Sequence, residues 1–97
     1  MKKTGIDDKV IEEIQGLAKK NKVDKVILFG SRSRGDYQRA SDIDLAVSGG
    51  DITGFALDVD EETSTPLKYD VVDLDGTMGE ELRESIRREG IVLYEKI

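Results

Sequence analysis

A chain of 97 residues with 21 acids, 15 bases and a net charge of −6 is short for a second independent core and too acidic for a general binder of long nucleic acid, so one domain over residues 1–97 is expected. It contains neither cysteine nor histidine, which excludes disulfide staples, thiolate and imidazole metal sites and the serine or cysteine triads, and leaves carboxylates for catalysis and metal binding. Any metal should therefore be hard, magnesium or manganese, and with 37% apolar residues a homodimer or a partner protein would help cover the surface.

Met1-Lys2-Lys3 leads into a charged amphipathic stretch without the apolar core of an export signal, and no apolar run approaches the ~20 residues that cross a bilayer, so a soluble cytoplasmic protein is expected. Ile6, Val10, Ile11, Ile14, Leu17 and Ala18 recur at helical spacing, with Asp7 and Asp8 early and Lys19, Lys20 and Lys22 late, which predicts a helix over 6–21. The unbroken apolar run Val26-Ile27-Leu28-Phe29 reads as a strand over 23–29 buried on both faces. Ser31 to Arg34 is a candidate helical turn, followed by a loop from Gly35. Alternation then separates Ile43, Leu45 and Val47 from Asp42, Asp44 and Ala46, giving a strand over 42–47 that Gly49-Gly50 ends.

Between 52 and 62, Phe55, Ala56, Leu57 and Val59 suggest one face of a short helix, with Asp58, Asp60, Glu61 and Glu62 as its solvated side. Tyr69 to Leu74 reads as a third strand. Thr77 with Glu80 three residues on predicts an N-cap for a helix over 78–89, stopped by Gly90, and Ile91 to Tyr94 forms a last strand. The alternation of helices and strands predicts an α+β domain with a small mixed β-sheet flanked by helices.

The chemistry concentrates where ten residues separate Gly30-Ser31 from Asp42-Ile43-Asp44. Residues two apart on a strand share a face, ~6.5–7 Å apart, so Asp42 and Asp44 can serve one metal site while Ile43 enters the core. Magnesium takes one or two protein carboxylates and completes its octahedron with water and phosphate. Gly30 lets a ligand approach the backbone, and the Ser31 hydroxyl with the following amides can donate to phosphate, with Arg32 and Arg34 as supplements. A third carboxylate comes from Asp70 or Asp73; Asp70 is preferred because Val72 follows it on the site face. Against each stands a blander reading: a plain turn, a solvated strand edge, an exposed helix face for Arg32 and Arg34, a capped strand start at Asp70, and for Tyr37 a surface ring instead of one stacked on a base.

Gly30-Ser31, ten residues and Asp42-Ile43-Asp44 together resemble the nucleotidyltransferase superfamily that includes DNA polymerase beta and the kanamycin nucleotidyltransferases. Gly30-Ser31-Arg32-Ser33-Arg34-Gly35 followed by Ser41-Asp42-Ile43-Asp44-Leu45 is similar to the minimal nucleotidyltransferases, with Ser33 at a position usually held by alanine. The resemblance covers the whole order of elements and implies a polymerase-beta palm-like fold. It also implies transfer of a nucleoside monophosphate, commonly AMP from ATP, to an acceptor hydroxyl, with Asp42, Asp44 and Asp70 as metal ligands and Gly30 and Ser31 on the triphosphate. Many minimal members are antitoxins that adenylylate a tyrosine of a helical HEPN-type partner. The alternative is a non-catalytic nucleotide-binding module that neutralises its partner by binding alone. Template-directed polymerisation is disfavoured for want of a basic groove.

Overall fold

The computed structural model describes residues 4–97; Met1 to Lys3, part of the stretch read for an export signal, lie outside the described residues. The first helix, α1 (Asp8–Lys20), buries Val10, Ile14 and Ala18, one residue per turn, and carries Asp8 at its start and Lys19 and Lys20 at its end, as the dipole favours. Strand β1 (Lys25–Phe29) then leads through Gly30 into the single turn α2 (Ser31–Arg34). After the loop come β2 (Ile43–Ser48), α3 (Ile52–Glu62), β3 (Tyr69–Asp73), α4 (Glu80–Glu89) and β4 (Ile91–Glu95).

The four strands form one sheet in the order β3-β2-β1-β4. Strand β1 is antiparallel to β2 and β4, whereas β2 and β3 are parallel, so the sheet is mixed and α3 is the crossover that parallel neighbours require. The alternation of β2 sorts its side chains between two apolar clusters. Ile43, Leu45 and Val47 join Val26, Leu28, Phe55, Val59 and the buried residues of α1 on one face; Ala46 joins Phe29 and Ile86 on the other. Strand β1 is thus covered on both faces, which explains its unbroken apolar run.

Three local expectations are corrected. Leu57 does not share a face with Phe55 and Val59: it is 58% exposed, because a helix turns about 100° per residue and Phe55 and Val59, four apart, define the buried stripe. Asp58 is not part of a solvated face; it accepts from Asn21 Nδ2 at 3.0 Å and pairs with Lys20 at 3.4 Å, tying α3 to α1. Thr77 is not the cap of the fourth helix, which begins at Glu80 with Gly79 in the capping position and no side-chain cap bond. Among the described residues no helix is long and apolar enough to cross a membrane.

Candidate functional site

The topology gathers the signature at one end of the sheet. Strand β1 ends where β2 begins, with Phe29 opposite Asp44, and β3 enters beside them with Asp70 in register with Asp44. Partners in a ladder project to the same face, so Asp44 and Asp70 lie side by side on the face that α4 only partly covers. Asp42, two residues before Asp44, precedes the strand and is exposed. Gly30 closes the other side. At φ 77° it adopts backbone that side chains avoid, and a Cβ there would strike the Asp44 carboxylate, so glycine is required by conformation and by space together.

The electrostatics follow from this crowding. Asp44 is half-buried, and its carboxyl is pushed above the ordinary aspartate range, first by burial, then by the charges of Asp70 and Asp42; Arg34 pulls weakly the other way. Three hard oxygen donors in mutual repulsion suit magnesium or manganese, and the chain offers no softer ligand type in histidine or cysteine. Among the described residues no three ligand side chains converge as closely as a preformed cage would require. Magnesium does not need one, since water and substrate phosphate usually complete its shell.

Asp73 stands elsewhere. It pairs with Val47, three residues along β3 from Asp70 and on the opposite face, and its Oδ1 accepts from the Asp75 amide at 2.8 Å in the turn that leaves the strand. The structure therefore brings Asp70, not Asp73, to Asp42 and Asp44.

The phosphate side of the signature is narrower than expected. In α2 the Gly30 carbonyl accepts from the Ser33 and Arg34 amides, both at 3.1 Å, and from Ser33 Oγ at 2.9 Å. The amides of Ser31 and Arg32, first in the helix, are outside that turn and free to donate to a phosphate beside the Ser31 hydroxyl. Arg34 is exposed but holds Asp36 and Glu89, each at 3.1 Å. Arg32, expected on the triphosphate, is 1% exposed: its guanidinium donates to the carbonyls of Ser41, Thr4 and Arg39 and lies 4.8 Å from the centre of the Tyr37 ring. Its reach to a phosphate is corrected on that ground, and Tyr37 stacks on Arg32 instead of awaiting a base.

Sequence reasoning missed Thr4 and Glu89 as parts of this region, and within the signature it missed the bond that Ser33 Oγ makes to the Gly30 carbonyl. Ser33 carried a signal, since a serine three residues after a turn carbonyl commonly bonds back to it. Thr4 and Glu89 carried none, because only the folded chain brings residues 28 and 55 positions away to the signature. A separate open groove of about 500 Å³, lined by Ile52, Ala56, Leu57, Tyr69, Val71 and Asp73, lies on the other face and has no part of the acid cluster.

Comparison with known proteins bears on what this arrangement does. The family model described as "Polymerase beta, Nucleotidyltransferase" matches residues 12–97. The Methanocaldococcus jannaschii protein named "Putative protein adenylyltransferase MJ0604" is 35% identical over 100 residues, spanning 91% of this chain and 98% of that protein. Among solved structures, a toxin-antitoxin with AMP-PNP superposes with a TM-score of 0.72 at 28% identity, covering 89% of this chain and 73% of the other. A mutant of the toxin-antitoxin MntA-HpeT gives 0.70 at 25% identity, covering 89% and 73%.

Proposed function

The chain belongs to the polymerase beta nucleotidyltransferase family, as a minimal nucleotidyltransferase, and from that premise we propose that it transfers AMP from ATP to a tyrosine hydroxyl of a helical HEPN-type toxin, acting as the antitoxin. The observation that carries the reading is the register of Asp44 with Asp70 over Gly30, which unites the phosphate turn and the acids at one open end of the sheet. The names of the relatives support an adenylyl donor and a toxin as partner: one is named "Putative protein adenylyltransferase MJ0604", another is a toxin-antitoxin with AMP-PNP.

In this reading Gly30 admits the triphosphate to the backbone, and Ser31, through its hydroxyl and amide, orients it. Asp42, Asp44 and Asp70 would hold the divalent cation, with water and substrate phosphate completing its shell. When bound, magnesium or manganese would neutralise phosphate charge and ease loss of the acceptor's proton. The acceptor oxygen forms a bond to the α-phosphorus as the bond to the bridging oxygen breaks, and pyrophosphate leaves. Asp42 and Asp70 are exposed, so a tyrosine on another protein can approach without a cavity being opened for it.

The experiment is label transfer from α-labelled ATP to the purified partner, with the Asp42→Asn, Asp44→Asn double variant as control. The wild type should label a tyrosine and the double variant should not; transfer that persists in the variant overturns the assignment. Arg32 is buried and Arg34 is held by Asp36 and Glu89, so neither of these two signature arginines is free for phosphate. This favours, as a second reading, neutralisation by binding alone, and the same variant decides it: full protection of cells from the toxin without transfer would establish occlusion.

A further inference from the structure

We propose that Arg32 is the positioning residue for Asp42: its buried guanidinium clamps the end of the signature loop and fastens it to the chain's N-terminal segment, so that Asp42 arrives at the site in one place. The inference rests on the nucleotidyl-transfer reading of Asp42, Asp44 and Asp70 and adds to it a residue that acts without touching the substrate.

Between Arg34 and Ile43 the chain has no helix or strand to hold it. Backbone bonds hold its start, where the Gly35 and Asp36 amides donate to the Ser31 carbonyl, and side chains hold its end. Arg32 Nε donates to the Ser41 carbonyl at 3.0 Å, Nη2 to the Arg39 carbonyl at 3.2 Å and Nη1 to the Thr4 carbonyl at 3.0 Å, while the ring of Tyr37, from the same loop, covers the guanidinium face. The loop also closes on itself through the Gln38 amide on Ser41 Oγ at 2.7 Å and the Ser41 amide on the Gln38 carbonyl at 3.1 Å. Asp42 follows directly. On its other side the Ile43 amide donates to the Lys68 carbonyl at 2.9 Å, at the entry to β3. Asp42 is thus suspended between two anchors, one supplied by Arg32 and one by the strand that carries Asp70.

Burying a cation is costly unless hydrogen bonds replace its water. Arg34, Arg87 and Arg88 pair with carboxylates at the surface; Arg32 instead spends its charge on three carbonyls of two chain segments. The planar fork of arginine reaches them in one plane, which the single ammonium of lysine cannot do. The N-terminal segment is fitted to the clamp, since a Cβ at Gly5 would meet both the Tyr37 ring and Arg32 Nη1.

The test compares wild type with Arg32→Lys and, should that variant not fold, with Tyr37→Leu, which removes the covering ring but leaves the guanidinium. The first readout is amide hydrogen exchange over residues 37–42 without nucleotide. Exchange there should quicken roughly tenfold, the loss of about one net hydrogen bond, while the amides of β1 and β2 stay protected. The second is transfer kinetics, where kcat should fall about 10- to 100-fold, as for residues that orient a ligand side chain, with KM for ATP moving less than about threefold. The third is calorimetric affinity for a non-hydrolysable ATP analogue in the Asp42→Asn background, which Arg32→Lys should leave unchanged. Unaltered exchange at 37–42 overturns the proposal, and so does weaker analogue binding in the Asp42→Asn background, which would put Arg32 on the phosphate. Absence of transfer in the wild type would fail the functional reading and leave the exchange result to judge the clamp.

Discussion

The two faces of the sheet are built from the same strands and differ in nearly every physical respect. Under α1 and α3 the face is closed, and Ile43, Leu45, Val47, Val26 and Leu28 are each fully buried there. The opposite face carries a smaller cluster in which Phe29 and Ala46 pack beneath Ile86 of α4, and beyond it the acids lie open. Because strand side chains alternate, Ile43 is buried in the fold while its neighbours Asp42 and Asp44 turn away from that core toward the proposed site. Stability and the proposed reactivity are separated by one residue, not by distance.

If that separation is real, the largest stability effect should come from the closed face. Phe55→Ala should cost about 3–5 kcal/mol in urea unfolding, a large part of the ~5–15 kcal/mol typical of a domain. A loss under ~1 kcal/mol would mean that the two faces share the load. Next comes the choice between two acids of one strand: Asp70→Asn should lower transfer at least ~100-fold, about 2.7 kcal/mol in barrier, and Asp73→Asn less than about twofold. Equal losses would break the assignment of chemistry to one face.

A smaller effect, of opposite sign for the two properties, is expected at Asp44. Its carboxyl is raised in the fold by burial and by Asp70 and Asp42, so its stabilising contribution is complete below the ordinary aspartate value near ~4 and is lost as pH rises through the folded value. At neutral pH the ionised group works against the metal-free fold. Asp44→Asn should therefore stabilise the metal-free protein modestly, by under about 1 kcal/mol after solvent screening, seen as a small rise in Tm, and should flatten that pH dependence and abolish transfer. A drop in Tm would contradict the crowding. The smallest effect belongs to Leu57→Ser, which should alter stability by no more than ~0.5 kcal/mol, since that side chain is on neither cluster.

Where one element decides a residue's place, the sequence was a good guide. The β2 alternation and the four-residue turn α2 followed from spacing alone, and so did the opposite faces of Asp70 and Asp73, with Val72 on the side of Asp70. Residues decided by several elements were not legible. Arg32 has the same chemistry whether it faces phosphate or carbonyls, and only the return of Thr4 and Ser41 around it selects the second. Leu57 belonged to a short apolar run whose register depended on which turn of α3 met α1. Thr77 matched a capping pattern, but the helix waited three residues before it began.

Strand β3 lies at the border of the sheet, with β2 on one side only. A border strand offers free amides and carbonyls to any extended chain and so invites aggregation. Here Asp70 and Asp73 set a charge on each face of that strand, and a second copy adding edge to edge would bring like charges together. The carboxylate assigned to the reaction would then also keep the molecule monodisperse, and among inactive variants the one at Asp70 is the one expected to self-associate on concentration.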